Sequence, residues 1–519
     1  MIILLLVSYY FGNSGEVSPY ATGLVVAIVG LFWFWRRYKA KKRLGGLKEL
    51  PGPRGLPLVG NIFQLGKFGN AQFCKWTEKY GNIYQVKLGN QSTVVISDPK
   101  LTKEIFSNDA VFTGRFVIPS MQFYDEHPGL GIFSSEGELW ETHRRFLLRQ
   151  LRDFGFGKSA METLIMEEVQ ETLQRFMQQV GKPVSQIRQT FRLAVVNSLW
   201  TILTSQRFNQ DDPKLIKLAF NTTQAINDVI ESGSLVLFLP WLRHIIPKLS
   251  GYTKIREIFQ ENRVLIEDTI DKHKKSFKEE DLNDFIDVYL AEVRKTTDST
   301  SPFYGEAAER QLAVSLFDLF FAGSDTTATT ISWIILLLSK HPEVQQKLQK
   351  EIDEITGSSR KVSVTDRPQM PYMQALIDET LRFSTITPDG VQHRALADSE
   401  FHGYFIPKDV LIQPNLYYIH HSKAIWGDPE NFRPERFLSS DGKTFIKNDN
   451  LQAFQVGRRQ CVGETLARDT LFLYTSNIFQ QFSIELDPNS VQPSISESEV
   501  GFLRAPLPYT VIMKDRLEH

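Results

Sequence analysis

The sequence predicts a mainly α fold with a smaller β portion, an α+β arrangement crossed by one long helix. Three observations predict it. Apolar residues recur with a helical period in long segments between about residues 136 and 295. Residues 309–340 read as one helix, about 48 Å long at 1.5 Å of rise per residue. Two short apolar runs, 83–88 and 93–97, flank Gly89-Asn90, the signal of a hairpin and so of a small sheet near the start of the folded body.

Size and composition bound the rest. A chain of 519 residues suits two or three ordinary domains or one large helical unit. The net charge is −1, which implies no polyanionic partner. There is no Cys/His zinc spacing, no phosphate loop and no interleaving of basic and aromatic residues, so no nucleic acid is expected. The two cysteines, Cys74 and Cys461, permit one disulfide at most.

Taken in order, the chain opens on two apolar runs. Residues 1–11 are short and end at a polar, glycine-bearing stretch. Residues 20–35 carry no charge, and with Pro19 and its neighbours they come within the ~17–25 residues that span a bilayer. Arg36, Arg37, Lys39, Lys41, Lys42 and Arg43 follow at once and mark a cytosolic end, while Trp33 and Trp35 suit the interface. A cleaved signal peptide would want basic residues ahead of the apolar run and a small-residue cleavage site, and neither is evident. A buried core helix is the other rival at this length. The favoured reading is a short lumenal or interfacial N-terminus (1–19), a single transmembrane anchor (20–36), and a basic, proline-rich linker (37–60) stiffened by Pro51, Pro53 and Pro57.

Beyond the hairpin, residues 235–246 are too apolar for a solvated loop. Trp140 and Arg144 lie four apart on one helical face, ordinarily packing plus a surface charge. In the long helix, Ala322-Gly323-Ser324-Asp325-Thr326-Thr327 interrupts an apolar run. A kink at Gly323, with hydroxyls bonded back to the preceding turn, is the plain account. The alternative is functional: Ala322 and Thr326 share a face with Gly323 beside them, bare except for one hydroxyl. Glu379 and Arg382 form an E-x-x-R pair on a helix starting near Tyr372, of a kind common by chance.

The most informative stretch is 454–463, Phe-Gln-Val-Gly-Arg-Arg-Gln-Cys-Val-Gly, followed at once by a helical run from Glu464 to Phe479. A lone cysteine is usually a small buried hydrophobe, and a nucleophile would want a His and an Asn or Asp nearby. A sulfur placed before a helix N-terminus, beside Arg458 and Arg459, is expected to have a lowered pKa. Gly457 and Gly463 allow a tight turn and close approach of a flat ligand.

This string resembles the haem-binding loop of the cytochrome P450 family, and every position of F-x-x-G-x-R-x-C-x-G is filled: Phe454, Gly457, Arg459, Cys461 and Gly463. The resemblance extends along the chain. Residues 322–327 fit A-G-x-D-T-T, Glu379 and Arg382 fit the K-helix pair, and Pro434-Glu435-Arg436-Phe437 fits P-E-R-F. Residues 50–61 resemble the proline-rich hinge of microsomal members. The details look most like the animal microsomal family-2 group. One departure is Gln392, where many relatives carry Pro.

The resemblance implies a haem buried against the Cys loop and crossed by the long central helix, in a catalytic domain of residues 61–519. Haem b would be held by the Cys461 thiolate, with Arg115, Trp140, Arg144, His393 and Arg459 toward its propionates, and Ala322 and Gly323 against its face. Asp325 and Thr326 would relay protons to iron-bound dioxygen. Glu379, Arg382 and Arg436 would form a buried structural triad. With Cys461 so engaged, no structural disulfide is expected, and the body belongs in a reducing compartment.

The implied function is an NADPH-dependent monooxygenase that inserts one oxygen atom of O2 into a small apolar substrate, by hydroxylation or epoxidation. Implied partners are NADPH–cytochrome P450 reductase, docking on the Cys461 side where Arg458 could meet acidic residues, together with cytochrome b5 and membrane lipid at the endoplasmic reticulum, the catalytic domain cytosolic. Residues 235–246 would lie between two lid helices and touch the membrane. Pocket walls are expected from 116–133, 221–239, 317–322 and 387–391. The alternatives are a reductase-independent haem-thiolate isomerase or dehydratase, and a non-catalytic haem sensor or carrier. The Asp325–Thr326 pair speaks against both.

Overall fold

A computed structural model describes residues 46–66, 69–108, 110–155, 159–210, 212, 223, 227, 235–499 and 501–517. The expected anchor and everything ahead of it lie outside the described residues, as does the basic part of the linker. The chain falls into two compact units. The larger runs from 51 to 397 and resumes at 408; the smaller holds 46–50 and 398–407. Within the smaller, β5 (Ser399–Phe401) and β6 (Tyr404–Ile406) form a hairpin, and Lys48 pairs beside Tyr404.

The larger unit is mostly helical, around α8 (Gly305–Lys340). This helix begins one turn ahead of the expected Glu309, at a glycine with φ +60°. It runs unbroken through Gly323, so the expected kink is absent. Thr326 Oγ1 donates to Ala322 O at 2.7 Å, so the hydroxyl does fold back as the plain account required. Among described helices α8 alone is long and apolar enough to cross a membrane, but 78% of its most apolar window is buried in protein, which makes it a core element.

The reason for that burial is its neighbours. α5 (Ile187–Thr204) is buried from Phe191 almost to its end, its polar Arg192, Asn197 and Ser198 included, and it packs along α8. α3 (Gly137–Asp153), α4 (Ser159–Met177), α6 (Tyr252–Ser276), α7 (Phe285–Lys295), α10 (Pro371–Ser384) and α11 (Glu464–Gln481) share the same core through residues such as Phe146, Ile165, Phe259, Phe285, Leu376 and Phe472.

The sheet is small, as expected. β1 (Ile83–Leu88) and β2 (Gln91–Ile96) pair around Gly89-Asn90 with Leu88 opposite Gln91. Gly89 has φ +58°, the value a glycine supplies at the first position of a tight hairpin turn. β7 (Leu411–Pro414) joins β2 in parallel, and β4 (His393–Arg394) closes the other edge. Residues 51–60, read from sequence as linker, run along this sheet. Gln85 N donates to Pro51 O at 2.8 Å, and Asn61 N donates to Lys87 O at 2.6 Å. A side chain at Gly52 would stand 2.0 Å from Gln85 O, so glycine is needed there.

Residues 235–246 are neither wholly core nor solvated loop. Leu239 is buried against Ile62, Trp76 and Tyr84, whereas Trp241 and Ile245 are exposed.

Candidate active site

The Cys461 loop is held from both sides. Gly457 has φ +86°, and a Cβ there would stand 2.0 Å from Phe106 O, the oxygen that accepts from Arg458 N at 3.2 Å. Gln455 clasps the chain at Val391: Val391 N donates to its Oε1 at 3.1 Å, and its Nε2 donates to Val391 O at 3.0 Å. Cys461 N donates to Phe454 O at 3.1 Å, and the Phe454 ring lies 5.1 Å from the Arg468 guanidinium. Gly463 is the N-cap of α11.

The sulfur departs from expectation. Burial pushes the Cys461 thiol up, and Glu464 adds to this; the Gly463 N–H and Arg144 pull it down without prevailing. The residue still presents exposed surface, so it is surrounded by protein without being sealed. Arg458 and Arg459, expected to lower the pKa, are occupied elsewhere. Arg458 pairs with Glu141 at 2.7 Å. Arg459 donates to Thr113 O at 2.9 Å, to Ser135 O at 2.5 Å and to Ile132 O at 3.5 Å. The cation that does act on the sulfur is Arg144, which also donates to Gln460 O.

Beside the loop stands a group of cations, Arg115 and Arg459 buried and Arg144 half-buried. The Arg459 guanidinium lies 3.9 Å from the centre of the Trp140 ring and that of Arg144 at 5.9 Å. Arg115 donates through Nη1 to Gln392 O at 2.8 Å. Burial, then the neighbouring Arg144, push Arg115 down to about 9. Burial, then Arg115, push Arg459 down to about 8. Arg144 is lowered by burial as well. Among the described residues none of the three forms an ion pair with a carboxylate, and Glu136, the acid nearest them, is bound to Arg394.

Three polar atoms in this group are buried without a partner: Arg115 Nε, Trp140 Nε1 and His393 Nε2. His393 Nδ1 lies 2.7 Å from Phe112 O, so that nitrogen carries a proton. Its pKa is held well below the ordinary range by burial, then by Arg115 and Arg459. Two of the three atoms, Arg115 Nε and Trp140 Nε1, are donors, and unpaired buried donors beside cations are costly unless an anion completes them, whereas His393, neutral with its proton on Nδ1, presents Nε2 as an acceptor. The fit is to a flat ligand bearing carboxylates, such as the propionates of a haem.

On α8 the stripe Ala322, Gly323, Thr326 differs from the rest of the helix. Ala322 is exposed and Thr326 half-buried, while Asp325 and Thr327 to Ile331 are buried. A Cβ on Gly323 would meet only Leu199, at 3.0 Å. The side chains of Asp325 and Thr326 do not hydrogen-bond to each other. Asp325 Oδ1 accepts from Arg192 Nε at 2.7 Å, and its Oδ2 is buried without a partner. Sequence reading missed Arg192, although an arginine inside the apolar run Phe-Arg-Leu-Ala-Val-Val signals a buried acid nearby. It also missed Asp318, one turn before Ala322, whose Oδ2 accepts from Phe133 N at 2.9 Å and whose carboxyl burial pushes up to about 7.

Glu379, Arg382 and Arg436 do meet. Arg382 grips both oxygens of Glu379, at 2.7 and 2.8 Å, and Arg436 Nε donates to Oε1 at 3.1 Å. Glu379 and Arg382 are fully buried.

A cysteine loop beside a cluster of cations that awaits a dianion is the hallmark of haem-thiolate oxidoreductases, and comparison with known proteins agrees. A family model described as Cytochrome P450 matches residues 50–513, and the chain belongs to that family. It is 33% identical to Farnesoate epoxidase of Bombyx mori over 479 residues, 91% of this chain and 94% of that protein. It is 33% identical to Cytochrome P450 18a1 of Drosophila melanogaster over 514 residues, 97% of this chain and 93% of that one. A family-2 member, Cytochrome P450 2E1 of Oryctolagus cuniculus, is 34% identical over 509 residues, 95% of this chain and 99% of that one. The protein is accordingly a cytochrome P450 monooxygenase, an enzyme whose haem is held by a cysteine thiolate.

Proposed function

We propose that this enzyme inserts one oxygen atom of O2 into a small apolar organic molecule, using electrons from NADPH passed on by a membrane-bound reductase, with cytochrome b5 as a further donor. The observation that carries the site assignment is the buried pair Arg115 and Arg459 with half-buried Arg144, none of them ion-paired to a carboxylate among the described residues, beside the unpartnered Nε1 of Trp140. Those groups would hold the haem propionates, and Cys461 would ligate the iron. When bound, the haem would supply oxygen activation, which ligation by a thiolate favours.

The chain supplies the rest. Thr326 Oγ1 holds a proton on the bare stripe, and Asp325, anchored by Arg192, keeps an unfilled acceptor in Oδ2 one residue away. A relay through them needs the Thr326 hydroxyl to leave Ala322 O. The buried triad of Glu379, Arg382 and Arg436 would brace the fold behind the Cys loop. An apolar substrate is favoured by the rings of Phe123, Phe317 and Phe321, which follow one another at 4.7 and 5.9 Å. The name of the silkworm relative, an epoxidase of farnesoate, is compatible with such a molecule.

Residence in the endoplasmic reticulum membrane, with the catalytic domain cytosolic, is supported by the uncharged run 20–35 and its basic flank. Exposed Leu58, Phe63, Ile245 and Leu249 offer a second apolar contact for lipid. Arg458, on the Cys461 side, remains partly exposed for a reductase.

The deciding experiment measures substrate-dependent NADPH consumption with purified reductase, alongside the carbon monoxide spectrum of Cys461→Ser. The thiolate Soret band should vanish in the variant, and consumption should track product. Turnover of organic hydroperoxide without reductase, and none with it, would replace this reading by an isomerase.

A further inference from the structure

Arg504 is buried, at 5% exposure, and among the described residues no carboxylate contacts it. Its Nη1 donates to Phe383 O at 3.0 Å and to Ser384 O at 2.5 Å, and its Nη2 donates to Ser496 O at 3.3 Å. Phe383 and Ser384 are the last two residues of α10. Carbonyls at a helix C-terminus lack partners within the helix and carry the negative end of its dipole. The end of α10 therefore takes the place of an acid. The rings of Trp333 and Tyr417 flank the guanidinium at 5.1 and 5.5 Å.

The backbone of the same residue is tied in as well. Arg504 N donates to Ile386 O at 2.8 Å, and Trp333 Nε1 donates to Arg504 O at 2.9 Å. One residue thus fastens the loop 501–505 to the end of α10 and to α8.

That loop carries Phe502, whose ring lies 6.2 Å from Phe321, the neighbour of Ala322 on α8. It extends the series Phe123, Phe317, Phe321 by one ring. From the other side Asn227 Oδ1 accepts from Phe502 N at 2.9 Å. A Cβ on Gly501 would stand 2.6 Å from that oxygen, so a larger residue there would push the Asn227 side chain aside. Phe502 is held between Asn227 and Arg504.

We propose that Arg504 is a positioning residue for the oxidation: it fixes Phe502 as the outer end of the aromatic row and so sets how long an apolar molecule can lie along α8 beside the cofactor. A guanidinium suits the task because its planar fork reaches carbonyls on two segments at once, which an ammonium does not. The inference rests on the reading of Cys461 as the iron ligand.

The test uses the full-length haem-loaded protein and two probes that bind iron, imidazole and 1-dodecylimidazole, each titrated by its shift of the Soret band. Arg504→Gln and Phe502→Ala should each weaken 1-dodecylimidazole roughly ten-fold while imidazole stays within about two-fold. In the Phe502→Ala background, Arg504→Gln should add less than about two-fold, because the two residues act as one. Arg504→Lys should recover part of the loss. Asn227→Ala, which leaves the α10 knot intact, should mimic Phe502→Ala more weakly and keeps the idea testable if Arg504→Gln does not fold. Equal weakening of both probes, additive effects, or an unchanged 1-dodecylimidazole titration in Phe502→Ala and Asn227→Ala would overturn the proposal. Failure of imidazole to shift the wild-type spectrum would instead sink the haem-thiolate site itself.

Discussion

Arg192 on α5 and Asp325 on α8 form a buried ion pair, Nε to Oδ1 at 2.7 Å with each side chain 6% exposed. The acid of the A-G-x-D-T-T string is therefore directed toward a neighbouring helix, while the adjacent Thr326 bonds within its own. The pair joins the two most closely packed helices of the core, so it bears on stability as well as on proton delivery.

Removing one partner of such a pair strands the other in a low-dielectric interior. Arg192→Met should cost about 3–5 kcal/mol, and Arg192→Met with Asp325→Leu should cost clearly less than the single change. Urea unfolding of the two variants measures this. A single-variant loss under about 1 kcal/mol would mean that water reaches Asp325 in the folded protein.

The triad makes a harsher case. Glu379 receives both Arg382 and Arg436 and has no exposed surface. Glu379→Ala would leave two guanidinium groups facing each other, though Arg382 keeps the carbonyls of His420 and Pro429, at 2.9 and 3.0 Å. The expected outcome is little haem-loaded protein on expression, read from the Soret absorbance per mole of chain. Normal haem content would rule out a bracing role.

Much of this was legible because the relevant signals are local. The Gly89-Asn90 turn, the long α8 and the strings around Cys461 and Asp325 each lie within a few consecutive residues. What stayed hidden depends on contacts between distant segments. Arg192 meets Asp325 across 133 positions, and Arg504 meets Phe383 across 121. The thiol direction at Cys461 was misread for the same reason. Proximity in sequence put Arg458 and Arg459 next to the sulfur, whereas the fold turns them to Glu141 and to backbone carbonyls and brings Arg144 instead. The packing of 51–60 was hidden likewise, since nothing in that stretch announces that its carbonyls pair with β1.

The two glycines that frame Cys461 should differ sharply. A methyl at Gly457 would meet Phe106 O at 2.0 Å, on a backbone already at φ +86°. A methyl at Gly463 would meet only the Cys461 sulfur, at 4.0 Å, and φ there is −95°. Gly457→Ala should yield no correctly ligated protein, and Gly463→Ala should keep the thiolate Soret band. Carbon monoxide difference spectra of both variants decide it; equal tolerance would mean that the Phe106 contact yields easily.

The last prediction concerns pH and a cluster far from Cys461. His273, near the end of α6, and Asp284, the N-cap of α7, are buried, and Asp287 lies close enough that the three ligand atoms fall within 4.8 Å of one another. Such a trio could hold a metal, but its hydrogen bonds read as an ion pair. His273 Nδ1 lies 2.8 Å from Thr269 O and Nε2 lies 2.8 Å from Asp284 Oδ2, so both ring nitrogens face acceptors and both carry protons. Burial alone would lower this pKa; the Asp284 carboxylate outweighs it and raises it from 6.5 to about 9. The folded protein then binds a proton that the unfolded chain releases between those values. The stabilisation, on the order of 3 kcal/mol, is fully present below pH 6.5 and is lost as pH rises through 9. His273→Gln should melt lower than wild type at pH 6, and the gap should close toward pH 10. Thermal melts across that range in a chelating buffer test it: a gap that stays constant would remove the imidazolium, and a wild-type melt that drops on chelation at pH 7 would bring the metal back.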